Sequence, residues 1–227
     1  SRIADVGTDH GYIPVYLAQT GRIASALAMD VRYGPLERAQ AHVREYEERE
    51  RARRQDVWAV PIHLRLSDGL KELKPGEADT VIIAGMGGEL IIKILDEGRH
   101  VWDSVKQYVL SPQSDLDKVR RYLAAHGFAI EDEAMVKDEG KYYTVMSVKR
   151  GFMEYESQAH YLYGKILIDK KDVILREYLG REMLRIEKIL VSLQEKDGIT
   201  DTETRAEARI SRQKELSWIK EAQDEMQ

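Results

Sequence analysis

The residues with the most evident chemistry stand in one loop near the start of the chain. Residues 5–11 read D-V-G-T-D-H-G, after an apolar run and before a predicted helix. Glycine lets a backbone pass close to a ligand, and a helix after Gly11 presents free N–H groups there. Dinucleotide sites read G-x-G-x-x-G and bind a pyrophosphate, but Asp9 replaces the second glycine. Because a carboxylate repels a pyrophosphate and attracts a cation, the loop favours the sulfonium compound S-adenosylmethionine over NAD.

Acidic residues at the ends of the next two predicted strands extend this site. Asp30 closes the second strand, where a carboxylate can accept hydrogen bonds from both ribose hydroxyls. Asp68 follows the third strand, where it can accept one from an adenine amino group. Alone, Asp5 or Asp68 is as typical of a cap or a turn as of a ligand site. Together they predict a cofactor across the carboxyl edge of a sheet, bound by Asp5, Gly7, Asp9, Asp30, Asp68, Gly69, Ala84 and Gly85.

The elements that must position these residues are βαβ units over residues 1–150, where short apolar runs alternate with amphipathic stretches. Strands are predicted at Arg2–Val6, Ile23–Met29, Ile62–Leu66, Asp79–Ile83, Tyr108–Leu110, Ala129–Val136 and Tyr142–Lys149. Helices are predicted over 11–20, 34–54, 88–97 and 115–126. Only a short turn separates the last two strands, so they form an antiparallel hairpin. The predicted fold class is α/β, a Rossmann-like, mostly parallel seven-stranded sheet, which is the layout of methyltransferases.

A second domain is predicted over residues 151–227, where prolines stop and charges alternate with aliphatic residues. A heptad-like stripe on one long helix comprises Leu175, Leu179, Ile186, Ile189 and Leu193. The sequence K-D-G at 196–198 ends that helix, and Thr200 or Asp201 caps a second helix that runs to the end. These features predict an antiparallel helical hairpin that resembles a two-stranded coiled coil.

The composition excludes several classes of protein and leaves others open. The chain has 227 residues and no cysteine, so disulfides and thiolate metal sites are excluded, and no metal is expected. No apolar run reaches the length of a membrane span, and no secretory signal is present, which fits a cytoplasmic protein. The net charge of −5 does not favour a nucleic-acid partner, although a local basic patch can suffice. Because a strand is predicted at once, we expect that the chain lacks an original N-terminal segment.

Four motifs together resemble those of the bacterial tRNA (adenine(22)-N(1))-methyltransferases. The first loop is similar to their D-I-G-S-D-H-A-Y-L-P, and residues 67–70, S-D-G-L, are similar to their G-D-G-L. Residues 84–88 are identical to their A-G-M-G-G, and residues 138–143 are similar to their E-D-G-K-x-Y. The chain departs from their L-Q-P-N after the fifth strand, where residues 110–113 read L-S-P-Q. The motifs cover residues 2–150, and the helical tail agrees with the C-terminal coiled-coil domain of that family.

The resemblance implies S-adenosylmethionine as cofactor, tRNA as partner and methyl transfer to N1 of adenine 22. Neutral adenine N1 has an in-plane lone pair, so catalysis needs positioning and electrostatic support more than a general base. Asp9 is the first catalytic candidate, followed by His10 and Tyr12, for which a structural role is equally compatible. The predicted substrate-binding residues are Met86, Gly87, Gly88 and Gln113.

Contact with RNA is the weaker part of this prediction. From Phe152 onward the chain has 13 Lys and Arg against 16 Asp and Glu. Seven cations can still gather into a clamp for tRNA, namely Lys165, Lys170, Lys171, Arg176, Arg205, Arg209 and Arg212. The main alternative is a methyltransferase for a small molecule or a protein, with the tail as a dimerisation hairpin. An adaptor with a degenerate site and an NAD oxidoreductase are less compatible, and the oligomeric state stays open.

Overall fold

A computed structural model describes residues 1–53, 59–195 and 202–227. Its seven strands are β1 Arg2–Val6, β2 Ser25–Asp30, β3 Ile62–Leu66, β4 Thr80–Met86, β5 Gln107–Pro112, β6 Phe128–Asp138 and β7 Lys141–Arg150. Its α-helices are α1 Tyr12–Gln19, α2 Tyr33–Arg53, α3 Gly88–Glu97, α4 Leu116–Ala125, α5 Lys165–Asp169, α6 Val173–Glu195 and α7 Thr202–Glu225. The predicted seven strands and the helices between them are therefore confirmed.

The strands form a single sheet in the order β3-β2-β1-β4-β5-β7-β6. Strands β1 to β5 pair in parallel, whereas β7 pairs antiparallel with β5. The chain moves outward from β1 in one direction through β2 and β3, and in the other direction through β4 and β5. Because crossovers are right-handed, α1 and α2 cover one face of the sheet and α3 covers the opposite face. The carboxyl ends of β1 and β4 thus meet at the switch point where α/β proteins bind ligands.

Strand β5 is longer than the prediction of three residues at Tyr108–Leu110. It extends over Gln107–Pro112 because β4 pairs with it from Thr80 to Met86, past a register shift after Ala84. Pairing with β4 therefore extends the strand beyond the apolar run that is visible in the sequence, since β7 pairs only with Tyr108–Leu110. The Rossmann-like fold class stands as predicted.

Two compact units divide the chain. The first comprises residues 1–132 and 145–153, and it contains an apolar core in which β1, β2 and β3 pack against α1 and α2. The second comprises residues 133–144 and 154–227, and it includes the tip of the β6–β7 hairpin. Its core is formed by α6 and α7, where Leu175, Leu179, Ile186 and Ile219 are almost fully buried. The predicted helix break at 196–198 and the predicted caps lie outside the described residues.

The second unit also contains two short elements that the sequence did not predict. A π-helical turn at His160–Gly164 precedes helix α5. The His160 ring is buried, and its Nε2 lies 2.8 Å from a carboxylate oxygen of Glu225 near the end of α7. Such a polar contact between distant segments leaves no periodic signal in the sequence.

Candidate active site

The loop between β1 and α1 reverses direction through alternate residues with left-handed backbone. Gly7, Asp9 and Gly11 have φ values of 75°, 48° and 72°. The amides of Gly7 and Thr8 both donate to the Met29 carbonyl, at 2.8 and 2.9 Å, which holds the loop on the end of β2. No side chain caps α1, so its first N–H groups stay available for an anionic group. The loop therefore has a positive end beside its acidic side chains.

Asp5 lies buried at the carboxyl end of β1. The Thr8 hydroxyl donates a hydrogen bond of 2.6 Å to its carboxylate. Burial raises the pKa of Asp5 to about 6; the Thr8 hydrogen bond opposes this shift, and the charge of Asp30 adds to it. The ionised form of Asp5 is thus destabilised here, and a cationic ligand nearby would stabilise it.

Asp9, in contrast, is exposed and paired with a cation. A terminal nitrogen of Arg38 in α2 donates to its carboxylate at 2.7 Å, and the His10 Nε2 lies 3.7 Å from the other oxygen. The Arg38 hydrogen bond lowers the pKa of Asp9, so this carboxylate is ionised at neutral pH. The sequence interpretation treated α2 as scaffold and missed Arg38.

His10 and Tyr12 stack on one another, and His42 of α2 packs beside both. The ring centroids of His10 and Tyr12 are 5.3 Å apart with nearly parallel planes, and those of Tyr12 and His42 are 4.9 Å apart. The His42 Nδ1 lies 2.8 Å from the His10 carbonyl oxygen. Since a carbonyl only accepts, Nδ1 is the donor. Arg38 and His42 are one helical turn apart, and this spacing is the one sequence signal that could have identified them.

The predicted ribose and adenine ligands occupy different environments. Asp30 is buried at the end of β2, where its carboxylate accepts from the Arg32 amide at 3.0 Å. Asp68 is exposed, and Lys71 donates to its carboxylate, which lowers the pKa of Asp68. Gly69 follows with a φ of 60°, and a Cβ there would meet the side chain of Ile94 at 3.0 Å. Both carboxylates stand at strand ends, as predicted, while their roles as ligands remain predictions.

The end of β4 and the residues that follow it border the site on the other side of the switch point. A Cβ at Gly7 would lie 2.1 Å from the terminal methyl of Met86, so Met86 covers this glycine. The backbone N–H of Gln113 donates to the Met86 carbonyl at 2.9 Å, which places the Gln113 side chain beside Gly85. A Cβ at Gly88 would meet the Ser114 carbonyl oxygen at 2.5 Å. Close backbone contact thus requires glycine at position 88, and the Met86 side chain closes the space over position 7.

The structure brings the predicted residues of β1, β2, β4 and β5 to one edge of the sheet. Of the predicted tail cations, several bond within their own unit: Lys165 to Asp169, Arg176 to the Met226 carbonyl and Arg212 to Glu215. Within the described ranges, no helix is long and apolar enough to cross a membrane. Across the same part of the chain, no group of three or more His, Asp or Glu side chains could hold a metal ion.

Comparisons with known proteins agree with this geometry. The model of a family described as "TrmK: tRNA (adenine(22)-N(1))-methyltransferase" matches residues 3–215. A Bacillus subtilis (strain 168) protein named tRNA (adenine(22)-N(1))-methyltransferase is 29% identical over 192 residues, which are 82% of this chain and 76% of that protein. The family match covers the sheet and most of the helical unit.

Solved structures show the same similarity. The crystal structure of the B. subtilis m1A22 tRNA methyltransferase TrmK is 26% identical, with a TM-score of 0.78, over 97% of this chain and 91% of that one. A Streptococcus pneumoniae structure in complex with S-adenosyl-L-methionine is 29% identical, with a TM-score of 0.78 over the same shares. The likeness therefore includes a protein with the methyl donor bound.

Proposed function

Because the chain belongs to the TrmK family of tRNA (adenine(22)-N(1))-methyltransferases, we propose that the loop at Asp5–Gly11 holds S-adenosylmethionine for methyl transfer to N1 of adenine 22. The chain is an S-adenosylmethionine-dependent methyltransferase, and tRNA is its substrate class. The observation that carries the assignment of the site is the buried Asp5 beside an uncapped helix N-terminus. We place this enzyme in the cytoplasm, where tRNA is modified in bacteria.

The residues present fit the cofactor group by group. S-adenosylmethionine supplies a methyl group on a sulfonium sulfur, and it also carries an ammonium, a carboxylate and an adenosine. Asp5 would lie on the ammonium side, the first N–H groups of α1 would bind the carboxylate, and Asp30 would accept from the ribose hydroxyls. Asp68 and Gly69 would border the adenine, and Ala84 and Gly85 would lie between the cofactor and the acceptor. The ionised carboxylate of Asp9 disfavours a diphosphate at this loop, because it repels a second anion.

Positioning and charge explain how the chain promotes the reaction without a general base. Adenine N1 is a lone-pair nucleophile, and the ring gains positive charge as the methyl group arrives. The ionised carboxylate of Asp9 stabilises that charge, and Arg38 holds the carboxylate in place at 2.7 Å. Met86, Gly87, Gly88 and Gln113 border the base, which must leave the tRNA fold because N1 is on its pairing edge.

The site of methylation tests this proposal directly. The protein is incubated with methyl-labelled S-adenosylmethionine and an unmodified tRNA with adenine at position 22, and the tRNA is digested to nucleosides. We expect label in N1-methyladenosine, and none with a matched tRNA in which guanine replaces adenine 22. Label at another nucleotide, or equal labelling of both tRNAs, would overturn the assignment of position 22. Transfer to a small molecule or a protein instead would favour the alternative substrate classes.

A further inference from the structure

An open groove between α1 and α2 lies next to the proposed catalytic loop. Its cavity volume is about 630 Å³, within the range of roughly 300–1,000 Å³ that small-molecule sites occupy. The residues that line it include Tyr12, Tyr16, His42, Glu45, Tyr46 and Arg49. Tyr12 belongs both to this groove and to the stack with His10, whose ring lies 3.7 Å from the Asp9 carboxylate, so the groove begins beside the catalytic loop.

Aromatic rings form the wall and the floor of this groove. Tyr16 follows Tyr12 by one helical turn, and 58% of its surface is exposed. The His42 ring, 4.9 Å from Tyr12, continues the aromatic wall on the α2 side. Tyr46 closes the floor, where its hydroxyl accepts from the Val60 amide at 2.9 Å and fixes the ring. The rings of Tyr12, Tyr16 and His42 offer flat, partly exposed faces of the kind on which nucleobases stack, whereas Tyr46 is almost fully buried.

The rim of the groove adds a cation to these rings. Arg49 donates to Glu45 one turn earlier on α2, and more than half of each side chain is exposed. An exposed ion pair of this kind contributes little free energy, so an RNA phosphate can recruit the guanidinium at small cost. Aromatic faces beside an exposed cation are the combination by which proteins bind single-stranded nucleic acid.

We propose that this groove binds an unpaired nucleotide of the substrate tRNA, close in sequence to the adenine that is methylated. Its base stacks on Tyr16, and its phosphate contacts Arg49. A base that leaves the tRNA fold also unpairs or unstacks its neighbours, so a second binding place beside Tyr12 keeps the strand open. This inference rests on the tRNA substrate described under Proposed function.

The test removes the stacking ring and compares it with an equivalent ring elsewhere. Fluorescence anisotropy gives the Kd of labelled, unmodified tRNA for the wild type and for Tyr16→Ala, Tyr16→Phe and Phe152→Ala. Phe152 is a matched control, because its ring is also exposed in the first unit but lies outside the groove. We expect Tyr16→Ala to raise Kd by about 5- to 100-fold, the range for loss of one stacked base. The Kd values of Tyr16→Phe and Phe152→Ala should stay within about twofold of the wild type. Tyr16→Phe keeps an aromatic ring at position 16, and Phe152→Ala leaves Tyr16 unchanged.

A second variant gives an effect of opposite sign, which misfolding cannot imitate. Glu45→Gln removes a negative charge from the rim and releases Arg49. We expect tRNA to bind about two- to threefold more tightly, with a steeper dependence on salt, because one more cation reaches the phosphates. Calorimetry with S-adenosylmethionine should show unchanged affinity for both groove variants.

Three results would overturn the inference. One is a Kd for Tyr16→Ala within twofold of the wild type, and another is an equal loss with Phe152→Ala. The third is a dimer that dissociates on Tyr16→Ala, which would identify a second copy as the occupant. If the wild type neither binds nor methylates tRNA, the proposed function fails, and the groove assignment fails with it. If the wild type methylates tRNA and the groove variants bind tRNA as tightly as the wild type does, only the groove assignment is rejected.

Discussion

Replacing Asp5 with asparagine tests the electrostatics of the cofactor loop through protein stability. The folded pKa of about 6 lies about two units above the ordinary value of 3.8. Each unit corresponds to about 1.4 kcal/mol, so ionised Asp5 costs the folded protein about 3 kcal/mol at pH 7.5. The asparagine side chain carries no charge, and its carbonyl oxygen still accepts the hydrogen bond from the Thr8 hydroxyl.

The sign of the pH dependence follows from proton binding. Between about pH 4 and 6 the folded state binds the Asp5 proton more tightly than the unfolded state does. The free energy of unfolding of the wild type therefore falls as pH rises through this window and is level above it. About half of the cost is present at pH 5. The stability gained by Asp5→Asn should thus grow by about 1–2 kcal/mol between pH 5 and pH 7.5.

Urea unfolding of the cofactor-free protein at both pH values measures this difference. Asp68→Asn is the matched control, because Lys71 lowers the pKa of exposed Asp68 and leaves it ionised throughout this range. The control should show a constant difference from the wild type. A difference for Asp5→Asn that changes by less than about 0.5 kcal/mol between pH 5 and 7.5 would refute the reasoning, because the carboxylate would then titrate normally in the folded protein.

The remaining predictions concern the reacting centre and both units. Asp9→Asn should lower kcat by about 100-fold or more and weaken S-adenosylmethionine affinity, measured by calorimetry, by far less, because the lost charge acts mainly on the transition state. Unchanged turnover would remove Asp9 from the reacting centre. Gly88→Ala should lower Tm, because the new methyl group clashes with the Ser114 carbonyl oxygen at a cost of about 1–3 kcal/mol. Gly180→Ala should raise Tm, because a methyl group at this position of α6 meets no neighbouring atom and alanine favours a helix more than glycine does. Leu179→Ala should destabilise the helical unit by about 2–5 kcal/mol in urea unfolding, and exposed Leu184→Ala by far less; equal effects would contradict the packing of α6.

Much of this protein follows from local sequence patterns. Short apolar runs alternating with amphipathic stretches determine the strands and helices, and the ends of parallel strands place Asp5, Asp30 and Asp68 at one edge. The replacement of a glycine by Asp9 indicates the chemistry of the ligand, because the sign of a charge does not depend on the fold. The heptad-like stripe identifies the buried face of α6 at Leu175, Leu179 and Ile186, whereas its last two residues, Ile189 and Leu193, lie outside the buried cluster.

Only the tertiary structure decided which side chains contact these residues and how burial changes their pKa values. Arg38 and His42 reach the loop because α2 packs against α1, about 30 residues further along the chain. The pKa of Asp5 depends on how completely the surrounding strands bury it, a quantity that no local pattern contains. Side-chain contacts of this kind depend on distances between segments that are remote in sequence, whereas periodicity and turn chemistry report only on neighbours along the chain.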